Sequence, residues 1–196
     1  MQNQKLKLKF KGDRTYIHGS DIFNAVERIA RQDDDESYLS QLAFRRFARQ
    51  DCDLFWTAPP QGTELIAQGR VCQSGTDRSF WIAESNDPAA GRYEFDEASL
   101  VEPAVRNDEE IVLKDRSIHT PIEEVIALTK RLNYELTPKV DGKWVFGQLK
   151  LISALPSDYS SLKIRRVIEV AGRFSVNKII VDDRDVGDIR FIVGAP

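Results

Sequence analysis

A short motif near the start of the chain returns about one hundred residues later, and this repetition constrains the fold more than any other feature. Residues 13–18 read Asp-Arg-Thr-Tyr-Ile-His and residues 115–119 read Asp-Arg-Ser-Ile-His, so that the motif ends on His18 and then on His119, the two histidines of the chain. A second echo follows at similar spacing, with Gly69 lying 51 residues after His18 and Gly172 lying 53 residues after His119. The two echoes together predict two similar halves.

Each half opens with the pattern of a strand and then a helix. Apolar and charged residues alternate at 6–10, and a short apolar run occupies 110–114, as expected of strands. Ser20 or Asp21 is the predicted cap of a first helix that ends near residue 32. Thr120, followed by Pro121 and Glu123, is the predicted cap of a second helix that ends near residue 136.

The rest of each half has the pattern of strands separated by turns rich in Gly, Pro and Asp. The predicted strands cover residues 42–49, 64–73, 79–84 and 92–96 in the first half, and residues 143–152, 162–171, 174–181 and 188–193 in the second. Residues 100–109 form the predicted linker. The sequence therefore predicts two repeats, at 5–97 and 108–194.

One helix followed by several consecutive strands does not suit a doubly wound parallel sheet, which needs a crossover helix between successive strands. The prediction is an α+β fold, a tandem repeat in which each antiparallel sheet wraps around one helix. Two ferredoxin-like units are the alternative, but each would need a second helix. No second amphipathic stretch long enough for such a helix is found between residues 142 and 196.

This order of strand, helix and antiparallel strands resembles the hotdog fold of acyl-thioester hydrolases and acyl dehydratases, and two such units in one chain resemble a double hotdog. The resemblance lies in the order and spacing of elements over nearly the whole chain. The chain lacks the His-Gly-x-x-x-x-Pro stretch of fatty-acyl dehydratases. The resemblance implies an acyl-thioester substrate, carried by acyl-CoA or by an acyl carrier protein.

Charge and cysteine content limit the other classes of function. The net charge of −3 provides no basic field for nucleic acid or an anionic membrane surface. No apolar signal core or membrane-spanning run is present, and the expected location is cytoplasmic. Cys52 and Cys72 are expected to be free thiols. The spacing of histidines and cysteines predicts no metal site, and no motif for a cofactor is found.

The histidines are the natural candidates for acid–base chemistry because imidazole changes charge near neutral pH. His18 and His119 each precede a predicted helix, and the nearest carboxylates are Asp21, Glu123 and Glu124. His18 is the preferred acid/base because small polar residues follow it. Its predicted partner is Glu123 or Glu124 of the other half. The alternative is that both histidines are structural.

Several arginines offer a second, weaker pattern. Arg70 and Arg173 each directly follow a glycine and are expected inside strands, and Arg-Arg pairs occur at 45–46 and 165–166. They suit the phosphates of coenzyme A or a phosphopantetheine arm, although strand arginines more often face solvent or acids on neighbouring strands.

Two functions therefore stay open. The chain is predicted to be a thioesterase or dehydratase-like enzyme, or else a non-catalytic module of the same fold that binds an acyl chain or a protein partner. The sequence does not give the oligomeric state.

Overall fold

The computed structural model describes residues 3–194, which divide into two compact units between Phe95 and Asp96. The elements of the first unit are β1 (Gln4–Leu6), β2 (Phe10–Lys11), α1 (Gly19–Asp33), β3 (Tyr38–Phe44), β4 (Gln50–Phe55), β5 (Leu65–Gln73), β6 (Thr76–Pro88) and β7 (Arg92–Tyr93). Those of the second unit are α2 (Glu97–Val101), β8 (Val105–Asn107), β9 (Glu110–Lys114), α3 (Pro121–Leu136), β10 (Lys143–Leu151), β11 (Ser161–Val170), β12 (Phe174–Val181) and β13 (Arg184–Gly194). The predicted α+β class with mostly antiparallel strands is confirmed.

In the first unit, the main strands lie in the order β1-β4-β6-β5-β3, and neighbours are antiparallel. The helix α1 packs against β3 and β5. Its buried side chains recur at helical spacing, with Ile22, Val26 and Ala30 on one stripe. The core of this unit therefore lies between that stripe and the strands.

A nine-residue connection separates β4 from β5, and β6 lies between these two strands. The connection starts at the buried Trp56, whose ring lies 5.9 Å from that of Phe80 on β6. Pro59 and Pro60 then occupy an exposed stretch. Because proline cannot donate a backbone hydrogen bond, this segment suits a crossing loop better than a strand.

In the second unit, the strands lie in the order β8-β9-β11-β12-β13-β10, again antiparallel. The helix α3 packs against β9, β10, β11, β12 and β13. Its predicted stripe is buried, with Ile122, Val125, Ile126 and Thr129 all inaccessible to solvent. Short turns join β11 to β12 and β12 to β13, so these three strands form successive hairpins.

Some predicted elements were wrong in position or were missed. The strand predicted at 42–49 is β3, which ends at Phe44, and β4 was not predicted. The segment predicted as a linker at 100–109 contains the end of α2 and all of β8. The last strand begins at Arg184 rather than at residue 188, because only Asp182 and Asp183, both with positive φ, form the preceding turn.

The second echo of the sequence does not join equivalent positions. Gly69 lies inside β5, where a Cβ would come within 2.1 Å of the Gln41 carbonyl oxygen and 2.5 Å of the Phe80 ring. Gly172 lies in the turn between β11 and β12 with φ of +66° and nothing within 4 Å of a Cβ. The first glycine provides space and the second provides a left-handed turn, so the prediction that Gly69 superposes on Gly172 was wrong.

Candidate functional site

The first turn of α1 is capped by His18 rather than by the predicted Ser20 or Asp21. His18 has extended backbone angles, φ −74° and ψ 142°, and its side chain accepts a hydrogen bond from the Ser20 backbone N–H. The preceding residue, Ile17, is buried and donates its backbone N–H to the Ala48 carbonyl over 2.7 Å. These contacts fix the position of the half-buried His18 ring at the start of the helix.

Ser20 is the centre of a buried polar cluster. Its hydroxyl oxygen lies 2.8 Å from His18 Nδ1 and 2.7 Å from Lys11 Nζ. It also lies 3.3 Å from Asp21 Oδ1. Lys11 and Ser20 are both fully buried. Ser20 thus connects an imidazole, an ammonium group and a carboxylate, while remaining inaccessible to a substrate itself.

Lys11 and Asp21 form a buried ion pair, with Lys11 Nζ 3.2 Å from Asp21 Oδ1. Lys11 Nζ also lies 4.2 Å from the centroid of the Phe95 ring, at cation–π distance. Tyr93 donates its hydroxyl to Asp21 Oδ1 over 2.8 Å. Lys11 and Tyr93 meet because β2 and β7 are parallel partners in which these two residues are in register.

The contacts of the His18 ring suit both neutral tautomers. In the tautomer protonated at Nε2, Nδ1 accepts the Ser20 backbone N–H at 3.4 Å, and in the tautomer protonated at Nδ1, the ring donates to the Ser20 hydroxyl 2.8 Å away and Nε2 can take a proton. When the ring carries both protons, Nδ1 donates to the Ser20 hydroxyl, which turns its own hydrogen towards Asp21 Oδ1. His18, Ser20 and Asp21 therefore form a relay through which the carboxylate stabilises the imidazolium.

The start of α3 carries a different arrangement around Glu124, which is fully buried. One oxygen of Glu124 accepts the Ser117 backbone N–H over 2.8 Å, and the other accepts the Tyr159 hydroxyl. Burial, and then the hydrogen bond to Glu124, raise the pKa of Tyr159 above its ordinary value. A carboxylate near a helix N-terminus is also favoured by the helix dipole.

Glu123 and His119 have local roles in the same segment. Thr120 is the N-cap of α3, as predicted, and it forms a capping box with Glu123, in which the Thr120 N–H donates to Glu123 Oε2 over 2.9 Å. His119 lies one residue before this cap. Its backbone N–H donates to the Ser117 hydroxyl over 3.0 Å, and its carbonyl accepts from Arg116 over 3.2 Å.

The structure brings His18 and Asp21 together within one cluster, and it places His119, Glu123 and Glu124 together at the start of α3. Lys11, Tyr93 and Tyr159 were not predicted as members of either cluster. The sequence carries no local signal for them, because Tyr93 lies 72 residues from Asp21 and Tyr159 lies 35 residues from Glu124.

The strand arginines mostly bond to acids and amides on neighbouring strands. Arg70 lies 3.7 Å from Asp77 across β5 and β6, and Arg46 lies 3.2 Å from Glu84. On β11, Arg165 pairs with Glu110 of β9. These pairs support the alternative in which the arginines bind acids on neighbouring strands, rather than the one in which they bind the phosphates of coenzyme A or a phosphopantetheine arm.

Other candidate chemistry receives little support from the described residues. Among residues 3–194, no three side chains of the His, Cys, Asp or Glu type come together as metal ligands would. Both cysteines are free thiols, and burial raises the pKa of Cys52 to about 12, which makes it unreactive. Within that same range, no helix combines the length and apolar character needed to cross a bilayer.

Comparison with known proteins shows the fold. No protein-family model and no curated protein sequence matches the chain. A pyran synthase domain from module nine of the sorangicin pathway is similar in structure, with 12% identity, a TM-score of 0.53 and coverage of 99% of this chain and 92% of that one. A monomeric dehydratase domain from a trans-AT polyketide synthase split module is similar at 11% identity and a TM-score of 0.50, covering 98% and 96%. The chain has the hotdog fold, as the order of elements in the sequence predicted.

Proposed function

We propose that this chain is an enzyme acting on an acyl thioester of coenzyme A or of an acyl carrier protein, as a hydrolase or a dehydratase-like lyase, with His18 as general acid/base. The observation that carries this proposal is the relay from His18 through Ser20 to Asp21. The two similar structures, a pyran synthase domain and a dehydratase domain, support chemistry on polyketide-type acyl chains. We further propose that the two units are the hotdog-like repeats predicted at 5–97 and 108–194.

In this proposal, His18 starts from the neutral tautomer that is protonated at Nδ1, and it moves one proton at Nε2. For hydrolysis, the neutral ring removes a proton from water, the resulting hydroxide attacks the thioester carbonyl carbon, and the departing thiolate takes the proton back. For dehydration, the ring removes a proton beside the carbonyl and returns it to the hydroxyl that leaves as water. Asp21 lowers the energy of the imidazolium in both cases through the Ser20 hydroxyl.

Asp21 is the carboxylate partner that the contacts within the first unit favour. It lies 3.3 Å from the Ser20 hydroxyl that binds His18. Glu123 bonds to Thr120 and Glu124 bonds to Ser117 and Tyr159, so both already serve the start of α3. A pairing of His18 with Glu123 or Glu124 stays a prediction and ranks behind Asp21.

A non-catalytic acyl-binding module is the second candidate, and one observation favours it. Lys11 and Ser20 are fully buried, so the cluster is also a stable anchor between β2 and the start of α1. An anchor of this kind explains the polar residues without any reaction. A bound acyl ligand would then stabilise the protein without being turned over.

The test is a panel of saturated and 2,3-unsaturated acyl-CoA thioesters of different chain length, with thiol release measured for all, hydration for the unsaturated ones, and the shift in Tm for all. Turnover by the wild-type protein is expected, and His18→Ala should reduce kcat/KM about 100-fold, the usual scale for a general acid/base. Ligand-induced stabilisation with no turnover would contradict the enzyme and support the binding module. Unchanged activity in His18→Ala would remove His18 from the mechanism.

A further inference from the structure

The strands β10 to β13 of the second unit carry an apolar patch on the face opposite their buried face. Along β12, the buried Ser175, Asn177 and Ile179 alternate with half-buried residues, which therefore share the opposite face. Residues paired across neighbouring strands also share a face, and this rule extends that face over four strands. Two adjacent rows of cross-strand partners form the patch, which we call the outer patch: Val170, Phe174, Ile192 and Val145 in the first row, and Ile168, Val176, Arg190 and Gln148 in the second.

The outer patch is accessible to solvent although most of its side chains are apolar. Ile168, Val170 and Ile192 are 51%, 39% and 40% exposed. The next row on the same face is charged throughout and consists of Arg165, Lys178, Asp188 and Lys150. An exposed apolar area bordered by charged side chains is typical of a surface that another molecule covers.

Arg190 is a half-buried cation inside the outer patch. Its guanidinium carbon lies 3.9 Å from the centroid of the Phe174 ring, and this cation–π contact holds the side chain against the sheet. Arg190 Nε is buried and has no hydrogen-bond acceptor among residues 3–194. The two rows of the patch contain no carboxylate, and Asp188 of the charged row binds Lys178 over 2.9 Å. Arg190 therefore presents a fixed positive charge, with an unsatisfied donor, to whatever covers the patch.

We infer that the outer patch binds an amphipathic helix of a partner protein, and that this helix carries a carboxylate within its apolar stripe. An apolar sheet face is stabilised when a helix packs on it, and isoleucine, valine and phenylalanine side chains supply the apolar contact here. The carboxylate pairs with Arg190, because a planar guanidinium binds a carboxylate through charged hydrogen bonds that strengthen where water is excluded.

Two other occupants fit the outer patch less well. A symmetric contact with a second copy of the chain would place two copies of Arg190 in one apolar interface with no acid from either patch. An anionic membrane surface is best met by cations that extend away from the protein, whereas Arg190 lies against the Phe174 ring. A partner that supplies both apolar side chains and a carboxylate satisfies every group of the patch.

The probe is a phage-displayed library of helical peptides about 16 residues long, with the side chains of one helix face varied. Peptides selected on the wild-type protein should carry Asp or Glu among apolar residues on that face. Their Kd is then measured by fluorescence anisotropy. Arg190→Gln should weaken binding about 30-fold or more, because it leaves the peptide carboxylate unpaired in an apolar contact. Arg190→Glu should bind the same peptide again once its acid is changed to lysine.

Lys150→Gln is the matched control, because Lys150 is an exposed cation on the same face that lies outside the outer patch. It should change Kd less than about threefold. Selection of no peptide, selection of peptides without an acid, or equal binding by the wild-type protein and Arg190→Gln would overturn the inference. A dimer that Ile192→Ser separates in sedimentation would instead assign the patch to a second copy. Binding to phosphatidylserine vesicles that Arg190→Gln abolishes would assign it to a membrane.

Discussion

Both units run from two short strands through one long helix to several further strands, but they arrange those strands differently. After its long helix, the second unit builds β11, β12 and β13 as successive hairpins. In the first unit, β6 lies between β4 and β5. The loop from β4 to β5 therefore spans the place in the sheet that β6, the next strand along the chain, occupies. A shared pattern of strand, helix and strands is thus compatible with two strand orders.

Connection length explains the difference. The β12–β13 turn consists of Asp182 and Asp183, and the β5–β6 turn of Ser74 and Gly75, both short enough for hairpins between neighbouring strands. The β4–β5 connection has nine residues and contains Pro59-Pro60, which does not form a tight hairpin. The loops, and not the strands, therefore decide which strand becomes the neighbour.

The units also differ in how they hold a carboxylate at the helix start. Asp21 bonds to Lys11, Ser20 and Tyr93, whereas Glu124 bonds to Ser117 and Tyr159. The first arrangement connects its carboxylate to the His18 side chain through the Ser20 hydroxyl, by contacts shorter than 3.5 Å. The comparison assigns the proposed chemistry to the first unit.

Lys11→Met should be the most destabilising single change. Removing one partner of a buried ion pair leaves the other charge uncompensated, and the expected loss is about 3–5 kcal/mol of unfolding free energy. Lys5→Met is the matched control, because Lys5 pairs with Asp87 at the surface and should change stability very little. Urea denaturation of both variants measures the difference. Similar small losses would show that the Lys11–Asp21 pair is not a buried anchor.

Gly69→Ala and Gly172→Ala should separate the two glycines of the sequence echo. A Cβ at position 69 meets the Gln41 carbonyl and the Phe80 ring, so the strand must shift, at a cost of about 3 kcal/mol. At position 172 only the left-handed backbone is strained, at a cost of about 1 kcal/mol. Equal losses in thermal or urea unfolding would contradict the different roles assigned to the two glycines.

Tyr159→Phe should destabilise the protein by about 1–3 kcal/mol, because it leaves one oxygen of the buried Glu124 without its donor. Tyr93→Phe should cost less, about 1 kcal/mol, since Asp21 keeps Lys11 and Ser20. Unfolding free energies at pH 7 test the order of the two variants. A larger loss of stability from Tyr93→Phe than from Tyr159→Phe would contradict this prediction.

The effect of Tyr159→Phe on the free energy of unfolding should depend on pH. Burial and Glu124 raise the pKa of Tyr159 above its ordinary value of 10, so the folded protein keeps a proton that the unfolded chain loses. This contribution to stability is complete below pH 10 and falls by up to about 1.4 kcal/mol per pH unit above it. The stability difference between wild type and Tyr159→Phe should therefore narrow above pH 10. A constant difference would contradict the raised pKa.

The sequence predicted the hotdog-like fold and both long helices, because their stripes and caps are local patterns. It missed β4 because Asp51 and Asp53 are unusual in strands; Asp51 is nevertheless buried, and it accepts the Leu8 N–H over 2.9 Å. The His18–Asp21 proximity was predictable from their spacing. Lys11 and Tyr93 were not, because the pairing of β2 with β7 that joins them is non-local.

The most direct test of the account compares His18→Gln with His119→Gln in one steady-state assay on the best acyl thioester. The His18 ring contacts the Ser20 hydroxyl, which leads to Asp21, whereas the His119 backbone bonds to Ser117 and Arg116. The account predicts that His18→Gln lowers kcat/KM about 100-fold and that His119→Gln lowers it less than about threefold, with a change in Tm as its main effect. Equal and small losses in both variants would contradict it and identify two structural histidines.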